Sequence, residues 1–113
     1  MDDLYAKFFP QFVTLARKRL SVATAAAAAH DHPAVPAIVR ELHALLGEAG
    51  LLGLRQVIPL ARDCELKAKA LHGSRAAADA DALLGSLREL AQLIERLGAR
   101  QAEPSDPGSR GPG

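Results

Sequence analysis

Apolar residues recur every three to four positions along most of this chain, and the strict alternation that a β-strand requires appears nowhere. Proline, glycine and short polar clusters interrupt the repeat and divide it into four helical segments. The first covers about residues 3–29 and is expected to turn Tyr5, Phe8, Phe9, Phe12, Leu15, Ala16, Leu20 and Ala23 inward. Asp2 or Asp3 suits its amino-terminal cap, and Pro10 is expected to kink it or to divide off its first turns. His30-Asp31-His32-Pro33 breaks the pattern, and Pro36 can open a second helix that ends around residues 50–53. The third segment, about residues 54–71, has Leu54, Val57, Ile58, Ala61, Cys64, Ala68 and Leu71 on one stripe, with Pro59 near its first turn. His72-Gly73-Ser74 reads as a stop followed by a cap. The fourth, about residues 75–100, repeats Leu83, Leu84, Leu87, Leu90, Ala91, Ile94 and Leu97.

Four amphipathic helices with short connections predict an all-α, antiparallel up-down-up-down four-helix bundle over residues 1–101. Residues 102–113 are rich in Pro, Gly and Ser without apolar periodicity, and are expected to form a disordered tail or interdomain linker. At 113 residues the chain holds one domain with a single core. A formal net charge of +1, no basic arm, three Phe, one Tyr and no Trp give no reason to expect nucleic acid. Arg17-Lys18-Arg19 reads as a solvated helix face. The lone Cys64 cannot form an internal disulfide and falls at a core spacing, where a small buried hydrophobe is expected. No signal-peptide pattern and no membrane-spanning apolar run is present, so a soluble cytoplasmic protein is expected.

One helix carries a feature that packing does not explain. His43 and Gly47 are one turn apart on the same face of the second segment, and Gly50 continues that line. An interior glycine costs a helix ~1 kcal/mol relative to alanine. Two of them beside one histidine suggest that the imidazole must be reached by something large. Other polar groups read more plainly. His30, Asp31 and His32 supply too few fixed ligands for a metal site, Asp79 and Asp81 complement the dipole of the fourth helix, and Glu41 and Glu48 keep the histidine helix soluble. No hydrolase triad, nucleotide-binding glycine loop, metal site or cofactor motif is found.

The sequence around His43 resembles the histidine phosphotransfer (HPt) family, most closely the phosphotransfer domain of CheA-type chemosensory kinases. The family pattern is a histidine, a hydrophobic residue, Lys-Gly, and a glycine ten residues after the histidine; here it reads His43, Leu45, Leu46, Gly47 and Gly53. Glu65 stands twenty-two residues after His43, where CheA-like domains place a glutamate on the next helix, and residues 1–9 resemble the opening of the family's first helix. The resemblance covers roughly residues 1–100, and Leu46, where lysine is usual, is its main departure.

What the resemblance implies is a relay. His43 would accept a phosphoryl group on Nε2, Glu65 would hold the Nδ1 hydrogen, and Gly47 would keep the approach open. Leu46, Gly50 and Arg62 would face partners, which would be a histidine kinase catalytic domain and a response-regulator receiver; these partners would supply the nucleotide and magnesium sites. No independent activity is implied, and the chain would be either free-standing or the amino-terminal domain of a CheA-like histidine kinase. Arg62, three residues before Glu65, could restore the charge missing at position 46 or form an ordinary surface pair with Glu65. A degenerate interaction module, keeping the fold without phosphotransfer, is the alternative that Leu46 leaves open.

Overall fold

The computed structural model describes the backbone of residues 2–102 and the side chains of residues 5–100. Among the described residues four helices follow one another: α1 (Asp2–Ala28), α2 (Val35–Leu51), α3 (Val57–Ser74) and α4 (Ala77–Ala102), with a 3-10 turn over His32–Ala34 leading into α2. Each helix packs on its neighbours in sequence, and α1 also packs on α4, which closes an antiparallel four-helix bundle. Of the expected tail at 102–113, the backbone of Ala102 closes α4, and the rest lies outside the described residues, as do the side chains of the expected caps Asp2 and Asp3.

The core is mainly aliphatic, with Phe9 and Phe12 of α1 buried in it. Leu20, Val35, Leu42, Leu45, Val57, Cys64, Leu83, Leu87, Leu90 and Ile94 are its largest fully enclosed side chains. Burial, with Asp63 adding to it, pushes the Cys64 thiol up to about 12, so it behaves as a small hydrophobe with no thiolate chemistry near neutral pH. No described helix is long and apolar enough to cross a membrane.

Several sequence expectations need correction. The chain stays helical through Pro10, which does not divide α1; Ala6 and Pro10 both lie on its exposed side, so the carbonyl left without an N–H partner can be solvated. Phe8 and Leu15 are exposed, because α1 turns Phe9, Phe12, Val13 and Ala16 into the core. Leu93, absent from the expected stripe of α4, is buried, whereas Leu84, Ala91 and Leu97 lie half-buried at its margin. Gly98 is a packing residue of α4: a Cβ there would stand 3.0 Å from Val13 Cγ1, so its bare backbone sets the approach of α1.

The helix ends show how the turns are made. Beyond α2, Gly53 takes a left-handed φ of +68°. Its N–H bonds the Gly50 carbonyl at 3.1 Å, and Leu54 N–H bonds Ala49 at 2.9 Å. This is a Schellman closure, completed by the burial of both Ala49 and Leu54. Leu54 is therefore committed to ending α2, and α3 begins at Val57 instead of residue 54. α3 runs through Gly73 and stops only after Ser74, with the left-handed position filled by Arg75 (φ 58°) and not by the glycine. Ser74 still serves the next helix: its Oγ accepts the Ala76 N–H at 3.1 Å and donates to Asp79 in the first turn of α4.

Gly53→Ala isolates this backbone demand, since nothing lies within 4 Å of the added Cβ. It should cost about 1–2 kcal/mol, the penalty of a left-handed L-residue. A lower denaturant midpoint with an unchanged slope is expected; an unaltered midpoint would mean that the α2–α3 turn does not hold this conformation.

Candidate functional site

The apolar stripe of α2, formed by Val35, Ile38, Leu42, Leu45 and Ala49, faces the core and leaves His43 on the outer side. The imidazole is 76% exposed, yet it is not free. Its Nδ1 lies 2.9 Å from Oε2 of Glu65, which rises from α3 with its side chain only 9% exposed. A carboxylate can only accept, so Nδ1 carries the hydrogen, and in the neutral ring Nε2 keeps a lone pair directed away from this contact. The arrangement can perform nucleophilic attack from Nε2 while Glu65 stabilises positive charge growing on the ring.

The surroundings of the imidazole are bare on one side. A Cβ built at Gly47 or at Gly50 meets nothing within 4 Å. Neither glycine is required by packing within the chain, in contrast to Gly98. Leu46 is half-buried and packs against the core cluster, so it offers only part of its surface outward. Leu51, at the end of α2, is 86% exposed and borders an apolar groove with Phe8, Phe12 and Leu15 of α1.

Arg62 is exposed, and the cation that contacts Glu65 is not Arg62 but Lys69, whose Nζ stands 3.5 Å from the same Oε2 that takes the His43 hydrogen. A signal for Lys69 exists in the sequence. Glutamate four residues before lysine is the better-oriented helical pair, whereas Arg62 precedes Glu65 by three.

Two ionic arrangements hold the helices that carry the site. Arg19 of α1, with its side chain 16% exposed, reaches across to α2 between Glu41 and Glu48. Its Nη1 donates to Glu48 Oε1 at 2.6 Å, and its Nε stands 2.9 Å from Glu41 Oε1 without a hydrogen bond's alignment. The expected solvated face at residues 17–19 is therefore partly a clamp, since Arg17 likewise pairs with Glu95 of α4. Glu41 and Glu48 belong to that clamp rather than merely keeping α2 soluble. Between α3 and α4, Lys67 Nζ donates to Asp63 Oδ2 at 2.9 Å and to the buried Ser86 Oγ at 2.7 Å, and Ser86 Oγ donates to Asp63 at 3.0 Å. The Lys67 hydrogen bond holds the Asp63 carboxyl below its usual range against the opposing pull of burial.

The histidines of the α1–α2 connection form a separate group. His30 Nε2 lies 3.4 Å from Asp81, and His32 stacks on His72 with centroids 6.1 Å apart. Burial, with Arg75 and His72 adding to it, lowers the His32 pKa. Among the described residues, no three His, Cys, Asp or Glu side chains gather where they could hold a metal ion.

Compared with known proteins, the chain matches the sequence model of one family, the Hpt domain, over residues 7–100. No curated protein and no solved structure matches it.

The open space at Gly47 generates a direct expectation. Gly47→Ala should raise stability by up to about 1 kcal/mol, because alanine favours the helix and meets no neighbour. Urea denaturation reads the change; a loss of stability would show that the glycine has a structural role.

Proposed function

The chain belongs to the Hpt domain family, and on that footing we propose that His43 is its phosphoacceptor. Hpt domains carry phosphoryl groups on histidine in phosphorelays, between histidine kinases and response regulators. In this reading the chain takes its phosphoryl group from a kinase catalytic domain and gives it to an aspartate of a receiver domain. The resemblance around His43, Gly47, Gly53 and Glu65 favours a CheA-like, chemosensory setting in the cytoplasm, with residues 1–101 as the carrier domain and residues 102–113 as a tail or linker.

One observation carries the reading: an exposed imidazole whose Nδ1 is held at 2.9 Å by a buried carboxylate. In the first step the Nε2 lone pair attacks phosphorus in line with the oxygen of the departing ADP. The P–O bond breaks, and that oxygen keeps its electron pair. The ring then holds both the phosphoryl group and the Nδ1 hydrogen, and Glu65 stabilises the resulting positive charge. In the second step a receiver carboxylate attacks phosphorus, the P–N bond breaks, and its electron pair returns to Nε2 as the neutral imidazole. Nucleotide and magnesium belong to the partners. Gly47 and Gly50 leave room for them, while Leu46 and Arg62 lie at the edges of the contact.

A second reading has a specific observation in its favour. Leu46 brings no charge where related domains place lysine, which is what a degenerate interaction module, binding partners without transfer, would retain.

Labelling separates the two. With ATP and a histidine kinase catalytic domain that binds it, the chain should gain one acid-labile, base-stable phosphoryl group. His43→Gln should abolish the label without changing helix content, because the side chain projects away from the core. Glu65→Ala should slow labelling by about 10- to 100-fold, in the range seen for orienting partners of functional histidines. Leu46→Lys should raise the rate by up to about tenfold, equivalent to ~1.4 kcal/mol. Gly47→Gln should slow transfer by obstructing the approach. Label persisting in His43→Gln would overturn the assignment, and a chain that binds its kinase yet never takes label would establish the interaction module instead.

A further inference from the structure

Glu65 is the only buried acidic residue among the described side chains. Its two contacts are the His43 Nδ1 hydrogen at 2.9 Å and the Lys69 ammonium at 3.5 Å, both on Oε2. A buried carboxylate is tolerated when a positive charge and hydrogen bonds compensate it. A neutral imidazole provides the hydrogen bond but no charge. The charge comes from Lys69. The other cations near the site by helix register, Arg40 three residues before His43 and Arg62 three residues before Glu65, make no contact with the carboxylate.

We infer that Lys69 is a positioning residue for phosphoryl acceptance: its ammonium compensates the buried Glu65 carboxylate, which keeps accepting the Nδ1 hydrogen while His43 stays neutral with Nε2 free. This rests on His43 as the phosphoacceptor. Without the ammonium, a proton is drawn to the pair, and it has two places to settle. A proton can settle on Nε2, making His43 an imidazolium whose lone pair is occupied. Alternatively, the proton can settle on Glu65, whose carboxyl O–H then donates to Nδ1 while the ring's own hydrogen moves to Nε2. Both outcomes remove the nucleophile, although nothing that touches phosphorus has changed. Position 46, a half-buried leucine, supplies no alternative charge.

Lys69 is more than half exposed, so its removal is not expected to disturb packing, and circular dichroism and the denaturant midpoint check this. The direct readout is long-range proton–nitrogen NMR of the chain labelled with 15N-imidazole histidine, at pH 7.5. In the parent, the His43 ring should be neutral with its hydrogen on Nδ1. In Lys69→Met, it should shift to the imidazolium or to the Nε2–H form, and Lys69→Arg should restore the parent pattern. Potassium phosphoramidate then measures acceptance without any kinase: Nε2 attacks phosphorus, the donor's P–N bond breaks, and ammonia leaves with the electron pair. Lys69→Met should label about tenfold more slowly, the lower end of the range for outer partners of a functional histidine. Lys69→Arg should recover the rate, and Lys69→Met should add nothing in a Glu65→Gln background. An unchanged tautomer and rate in Lys69→Met would overturn the inference. So would a loss that arginine does not restore, or an equal slowing in the Glu65→Gln background. Failure of the parent to take label on His43 would overturn the carrier reading, while the NMR comparison would still decide the role of Lys69.

Discussion

An imidazole standing in solvent would ordinarily exchange its hydrogen between two nitrogens. His43 does not have that freedom, because a carboxylate buried beneath it accepts from Nδ1. For this to happen, α2 must lie on α3 closely enough for Glu65 to reach outward from the seam. The buried side of α3 permits a close approach: Ala61, Cys64 and Ala68 are small and fully enclosed, and the α2–α3 seam is the most extensive among the described helices. The turn at Gly53 fixes where α3 starts after α2, and hence which turn of α3 lies opposite His43. Arg19 secures the sparser α1–α2 seam from the other side.

The glycines divide by physical role. Gly53 is needed for its backbone conformation, and Gly98 for the closeness of α1. Gly47 and Gly50 answer to neither demand, since a methyl group would fit at both and would strengthen the helix. A helix that gives up that stability on the face of its exposed histidine has a reason outside the chain, and room for a partner's reacting group is that reason in the proposed function.

The four helices were legible because each buries a stripe of regular period, and that period survives in Ile38, Leu42, Leu45 and Ala49 as clearly as in Leu83, Leu87, Leu90 and Ile94. The stripe's edges were less so. Phe8 and Leu15 have core chemistry but fall just outside the buried arc of α1, and periodicity alone cannot say where such an arc stops. The end of α3 was misplaced because glycine is the usual left-handed residue, whereas here Arg75 takes that conformation and Gly73 remains helical. At the site, the spacing of His43 and Glu65 was readable through a family pattern, yet their meeting depends on helix register, which no local signal encodes. Lys69 is legible from its spacing to Glu65, since a lysine four residues after a glutamate is better oriented than an arginine three before it. The Arg19 clamp was not readable, because it joins residues of two helices that only the folded bundle brings together.

In the proposed function one nitrogen of one histidine, Nε2 of His43, holds the phosphoryl group. The most direct measurement is phosphorus–nitrogen coupling by NMR on the phosphorylated chain carrying 15N-imidazole histidine. Coupling from phosphorus to Nε2 of His43, with the hydrogen retained toward Glu65, is the expected result. Coupling to Nδ1, or to any other histidine among His30, His32 and His72, would contradict it.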